Sequence, residues 1–246
     1  MDLYKADLHI HTVLSPCGSL DMSPGKIIAA ASDQKIDIIG ITDHNSTKHC
    51  NLVKQLGERK GIYVLMGAEV TTREEIHCLV FFENVDLLDE FQQYLYDYLP
   101  FVKNDPDYFG YQVVVDEDEQ ILEEISSLLI VGIDQSIDEV QNKVRQLNGI
   151  FIPAHIDRPR NSVFSQLGFM PDNIIPDAIE INGPSKKEDF LIKYPEYKKY
   201  SLIKNSDAHS LSQIGQRYSG FRLNHISFRE IGLALNNELG REVVML

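Results

Sequence analysis

The chain has few cysteines, too little positive charge to offset its acids, and no long apolar run. Each shortage excludes something. Cys17, Cys50 and Cys78 are odd in number and show no CxxC spacing, so no disulfide framework is encoded and a reducing compartment fits. Lys and Arg number 23 against 37 Asp and Glu, a formal charge of −14, and no basic stripe offers a general nucleic-acid surface. An anionic small substrate survives that argument, because divalent ions in a pocket reverse the local sign. No apolar run approaches the roughly 20 residues of a membrane span. The N-terminus enters a strand-like run within three residues instead of a leader, so a cytoplasmic protein is expected. There is no Walker loop, no dinucleotide fingerprint, no internal repeat and no low-complexity tract.

Apolar runs predict strands at Leu3–Leu8, Ile36–Ile41, Ile62–Met66, Ile76–Phe81, Ile150–Pro153, Ala178–Ile181, Leu202–Lys204 and Gly220–Leu223. Between them, Ser23-Pro24 followed by Ile27, Ile28 and Ala31 has the cap, first-turn proline and apolar face of a helix. Asn45 to Lys60 and Ser227 to Leu239 are further helices, the second with Ile231, Leu235 and Leu239 on one stripe. Such alternation favours a parallel sheet buried on both faces, with the ligand site at the carboxyl ends of its strands. At 246 residues one α/β domain is expected, residues 1–246. The segment from about 83 to 149 breaks the rhythm and reads as a mostly helical insertion, with helices at Val85–Tyr98, Asp116–Leu129 and Ile137–Leu147. It is either a solvated helical face or a lid that shapes substrate choice. The pairs Lys186-Lys187 and Lys198-Lys199 are solvated helix charges.

Six of the eight histidines stand in short clusters at or just beyond these runs. They are Asp7-Leu8-His9-Ile10-His11, Thr42-Asp43-His44, Ile76-His77-Cys78, Pro153-Ala154-His155 and Ser206-Asp207-Ala208-His209, with Gly67-Ala68-Glu69 adding a carboxylate. A His-x-His pair on a strand points both imidazoles to one face. Imidazole and carboxylate donors suit zinc, manganese or iron, and a carboxylate bridges two ions. Water on such ions loses a proton near neutral pH and becomes a nucleophile. His49 and His225 lie outside the pattern and are surface or packing residues, while Cys50 and Cys78 pack.

The strings DLHIHTVLSPCGSLDMSP, GITDHNS, GAEVTT, EIHCLVFF, IPAHIDRP and SDAHS resemble, in order, the PHP (polymerase and histidinol phosphatase) family of metal-dependent phosphoesterases. The resemblance implies a distorted (β/α)7 TIM-like barrel holding two or three divalent ions, and hydrolysis of phosphate esters. Carried over residue by residue, His9, His11, Glu69 and Asp207 match the first ion's ligands. Glu69 would bridge to a second ion held by His77 and His155, and His44 and His209 match a third position. There the histidinol phosphatases have another histidine where this chain has Cys17, which is either a thiolate ligand or an inert thiol. Asp207 or His209 would carry a proton to the leaving group, Asp43 would orient a ligand, and Arg158 would clamp the phosphate, ahead of Arg160, Arg73 and Arg217. The expected substrate is a small phosphorylated metabolite, either histidinol phosphate or a nucleotide-like compound. Two other classes stay open: a metal-stabilised binding module without turnover, and a metal-dependent hydrolase of a C–N or C–O bond.

Overall fold

A computed structural model describes residues 1–182 and 187–245, so Lys186 lies outside the described residues. The strands are β1 (Asp2–Ile10), β2 (Ile38–Ile41), β3 (Tyr63–Thr71), β4 (His77–Phe82), β5 (Val113–Val115), β6 (Ile121–Glu124), β7 (Ile150–Pro153), β8 (Ile179–Glu180), β9 (Leu202–Ile203), β10 (Ser219–Leu223) and β11 (Glu242–Met245). The helices are α1 (Pro24–Asp33), α2 (Cys50–Glu58), α3 (Val85–Tyr98), α4 (Pro106–Phe109), α5 (Ile137–Gln146), α6 (Val163–Leu167), α7 (Lys187–Lys193) and α8 (Phe228–Leu235). All eight expected strands are present. No described helix is long and apolar enough to cross a membrane.

Seven strands form one curled sheet in the order β11-β10-β1-β2-β3-β4-β7. The β8–β9 pair closes the gap between β7 and β1. Ile156 N–H donates to the Glu180 carbonyl (3.0 Å) and Asp177 N–H to the Phe151 carbonyl (3.0 Å), which ties β8 to β7. Beyond β9, Ala208 N–H donates to His9 (3.1 Å) and accepts from His11 N–H (3.0 Å), which ties that end to β1. The seven strands β1, β2, β3, β4, β7, β8 and β9 thus encircle an interior, as a distorted barrel requires.

The expectation of a parallel sheet is corrected. β1-β2-β3 are parallel, but β3-β4, β4-β7, β1-β10 and β10-β11 are antiparallel. Only Thr72 to Ile76 separates β3 from β4. So short a link permits a hairpin but no crossover.

Alternation sorts the side chains. Along β3, Val64, Met66, Ala68 and Val70 share the layer that holds Ile27 of α1, Val53 of α2, Phe91 of α3 and Val144 of α5. Leu65 lies in the other cluster, with Leu79 and Phe81 of β4, and Glu69 and His77 share its face by period two. Cys78 is buried in the helix-facing layer, as expected.

Helices shorten where side chains compete for backbone. The helix expected from Asn45 begins at Cys50. Asn45 has φ +44°, and its amide bonds the Leu129 and Val131 carbonyls (2.7 and 2.8 Å) and Thr71 N–H (3.1 Å). α8 ends at Leu235, and Leu239 is exposed, off the expected stripe.

In the segment 83–149, α3 and α5 belong to the helix layer under the sheet, but the helix expected at Asp116–Leu129 does not exist. A β5–β6 hairpin stands there. The Asp116 carboxylate accepts from Asp118 and Gln120 N–H (3.0 and 2.8 Å), which closes a turn before a helix can start. The hairpin is tied to α1 and to the residues flanking α2 through ion pairs Lys26–Glu119 (3.1 Å), Arg59–Glu117 (2.7 Å) and Lys48–Glu123.

Candidate metal centre

Five strand ends and the first residue of β4 meet at one rim. His9 is the penultimate residue of β1 and His11 follows it. His44 follows β2, Glu69 lies near the end of β3, His155 follows β7 and Asp207 follows β9. Because β4 runs the other way, His77 reaches the same rim from an amino end. His155 and Asp207 hold left-handed backbone (φ +30° and +52°), an uncommon conformation for residues other than glycine that concentrates at functional sites.

The Glu69 carboxylate is the hub. Its Oε1 lies 3.2 Å from His9 Nε2, 2.9 Å from His77 Nδ1 and 3.1 Å from His155 Nε2. Its Oε2 lies 3.4 Å from His11 Nε2 and 3.1 Å from His44 Nδ1. Asp207 Oδ1 lies 3.2 Å from His9 Nε2 and 3.3 Å from His11 Nε2. His9, His11, His44, Glu69, His77, His155 and Asp207 are all buried, while His209 is partly exposed and Cys17 is exposed at the mouth.

Other side chains turn the imidazoles inward. His9 Nδ1 faces the Glu180 carboxylate at 3.1 and 3.2 Å, so a proton sits there and Nε2 is turned to the interior. Glu180 also accepts from His155 N–H and from Asn205 Nδ2, both at 2.8 Å. Ser15 Oγ lies 3.0 Å from His11 Nδ1, accepts from His44 N–H at 3.2 Å, and donates to Asp43 at 2.7 Å. Asp43 accepts two more bonds from Thr12, both 2.7 Å, so it sits behind the imidazoles.

His49 is buried and joins this network. Its Nε2 accepts from Val115 N–H at 2.9 Å, which leaves Nδ1–H for Thr12 Oγ1 at 2.6 Å. Histidine, threonine and Asp43 thereby link the hairpin to the rim. His225 is exposed. Sequence reasoning missed Glu180, Ser15, Thr12 and Asn205. Of these only Glu180, an acid inside the apolar run Ala178–Ile181, carried a readable signal.

The charges are those of a cation site. Burial opposes the ionised form of Glu69, yet His77, His9 and His44 outweigh it and hold the carboxyl well below its usual range. Asp207 is likewise held low, against burial, chiefly by His9 and His11. Burial also opposes charge on His11, but Asp207 and Glu69 raise it to about 9. Burial and then His11 lower His209 to about 4, so it is neutral at pH 7. The carboxylate field draws protons onto imidazoles that are arranged to hold metal, and a divalent ion answers the same field more strongly. His44 Nδ1, His155 Nδ1 and Asp207 Oδ1 are buried without hydrogen-bond partners. Three groups of donors lie within 4.8 Å: His9–His11–Glu69, His44–Glu69–His77, and His11–Cys17–His44–His209. The residues present fit a metal cluster.

A pocket of about 390 Å³ opens over the cluster, walled by Cys17, His209, Ile130, Arg158, Arg160 and Asn161 among others. Ile130 comes from the stretch held by Asn45, so the 83–149 segment supplies a wall of this pocket. Arg158 is in ion-pair contact with Asp207 Oδ2 at 2.5 Å. Arg160 is exposed on the pocket rim, with no ion pair among the described residues. Arg73 is bound to Asp134 (2.8 Å) and Glu139 (3.3 Å), and Arg217 to the Asn182 carbonyl (2.7 Å), both outside the pocket.

Comparison with known proteins agrees with this geometry. The PHP domain family model matches residues 7–158. The uncharacterized protein YqxK of Bacillus subtilis (strain 168) is 28% identical over 271 residues, covering 97% of this chain and 63% of that protein. Among solved structures, the lesion-specific endonuclease Q of Pyrococcus furiosus superposes with a TM-score of 0.74 at 18% identity, over 98% of this chain and 58% of that one. Endonuclease Q with a 27-mer duplex, an abasic lesion at its active site, gives 0.72 at the same identity and coverage. A Bifidobacterium adolescentis protein, provisionally assigned as a metal-dependent phosphoesterase, gives 0.61 at 19% identity, over 93% of both chains. The chain therefore spans about three fifths of the length of YqxK and endonuclease Q.

The endonuclease Q likeness corrects one expectation, that of a small phosphorylated metabolite with no nucleic-acid surface. That enzyme takes a duplex substrate with an abasic lesion at its active site. Net charge is a sum over the molecule, whereas a phosphodiester meets the local field of the rim, where Arg158 and Arg160 stand.

Proposed function

The chain belongs to the PHP domain family, and from that membership we propose that it is a metal-dependent phosphoesterase acting on a phosphodiester of nucleic acid. The observation that supports this most is a single buried carboxylate, Glu69, within 3.4 Å of five imidazoles under an open pocket. In this reading residues 1–246 act as one domain in a cytoplasmic setting, with 83–149 as its insertion.

His9, His11, Glu69 and Asp207 would hold one ion, Glu69, His77 and His155 a second, and His44 and His209 a third. Zinc, manganese or iron in these positions would supply a nucleophile at neutral pH and neutralise charge on the phosphoryl group. The side chains do the rest. Glu180 and Ser15 bind the outward nitrogens of His9 and His11 and so aim their Nε2 atoms inward, where an ion would take the place of the proton that the carboxylates attract. His209 Nδ1–H donates to the Asp207 carbonyl at 2.8 Å, so Nε2 is the atom that would hold the third ion, and where that position is empty the same atom would pass a proton to the leaving oxygen.

The two arginines divide the work. Arg158 fixes the Asp207 carboxylate, and Arg160 grips the substrate's phosphate. Arg160→Ala is expected to raise KM for a phosphodiester about tenfold with kcat little changed, and Arg158→Ala to lower kcat instead. Steady-state kinetics on one oligonucleotide checks both. The reading as a whole is tested with single-stranded and duplex DNA, a phosphate monoester and an amide, before and after chelation. Chelator-sensitive cleavage of DNA is expected. Cleavage of the amide alone, or turnover indifferent to chelation, would overturn the proposal.

A further inference from the structure

One flank of the cluster differs in chemistry from the rest. The ligand atoms of His11, Cys17, His44 and His209 lie within 4.8 Å of one another, whereas the other two groups contain Glu69 and no sulfur. His44 is buried, and its Nδ1 lacks a hydrogen-bond partner. His209 donates through Nδ1, which leaves Nε2 basic. Cys17 lines the same pocket at its exposed mouth. The other thiols are occupied elsewhere: Cys50 donates to the Gly67 carbonyl at 3.2 Å, and Cys78 is packed under the helices.

Sulfur changes which ion is preferred. Thiolate donors select zinc and its softer neighbours, while carboxylate-rich sets accept manganese or magnesium. Tetrahedral zinc, with bonds of about 2.0–2.3 Å, places its donors about 3.3–3.6 Å apart, which falls inside the spacing observed. We infer that Cys17, His44 and His209, beside the Nε2 that His11 gives to the first ion, form a thiolate–imidazole position that takes a thiophilic divalent ion, zinc in kind, whichever ion the Glu69-bridged positions hold. The inference rests on reading the cluster as a metal centre. It makes the chain selective within its own cluster: manganese alone cannot fill every position.

The test is to load the metal-free full chain with cobalt, record its near-ultraviolet absorption, and count bound ions by elemental analysis. Wild type is expected to show a sulfur-to-cobalt band. Cys17→Ser is expected to lose the band and to hold one ion fewer, while Cys17→His regains the ion without the band. Loaded with manganese, wild type is expected to hold one ion fewer than Cys17→His. Full cobalt content without the band, or a band that persists in Cys17→Ser, overturns the assignment and leaves the phosphoesterase reading standing. If no metal binds at all, both fail.

Discussion

Glu69→Gln is expected to empty the centre of metal and to lower phosphoester turnover by on the order of 10³-fold or more. Five imidazoles and no other carboxylate converge on this side chain with so many contacts. An amide has one acceptor oxygen and no charge, so it cannot bridge two cations. The shift of Glu69 below its usual range means its charge is present throughout the neutral region. In metal-free protein, the stability tied to that charge is present above the unfolded carboxyl value and is lost as pH falls toward the lowered one. Elemental analysis beside kinetics checks the prediction, and full metal content with full turnover in the variant would remove Glu69 from the centre.

Gly67→Ala, two residues away, is expected to cost about 3 kcal/mol or more of stability, lowering the melting temperature by roughly 6–12 °C. A Cβ on Gly67 would stand 1.9 Å from the Val80 carbonyl oxygen and 2.6 Å from Phe81. The first of these is backbone in the paired strand β4, so relief requires β3 and β4 to separate where they present Glu69 and His77. Thermal unfolding measures the loss. A variant as stable as wild type would show that the hairpin yields more readily than its packing implies. Gly25→Ala, where nothing lies within 4 Å of the added carbon, is the matched control.

The strands were legible because each apolar run is long and ends in a distinctive polar cluster. The candidate cluster was legible on similar grounds: His9, His11, His44, Glu69, His155, Asp207 and His209 stand at or just beyond the ends of those runs, and His77 at the start of one. Strand direction was not legible from apolarity, since β4 is as apolar as its parallel neighbours. The five-residue link after Thr71 was the overlooked cue. The hairpin at β5–β6 was hidden because Glu117, Glu119, Glu123 and Glu124 favour helix by composition, while the turn is decided by the side chain of Asp116. Arg158 was assigned to the phosphate on sequence distance from His155. Its ion pair with Asp207, 49 residues further on, is a contact that no local pattern encodes.

The way the barrel closes has a thermodynamic consequence. Most of the donors stand on the continuous sheet, but Asp207 and His209 follow β9, and Glu180 lies on β8, in the pair that fills the gap between β7 and β1. Each joint has two backbone bonds instead of a continuous ladder, so this seam is held more sparsely than the sheet. Ions held across it would act as a clasp. By mass action, every increment of metal affinity for the closed barrel is also resistance to opening at the seam. Ion release and seam opening would then be one coupled equilibrium.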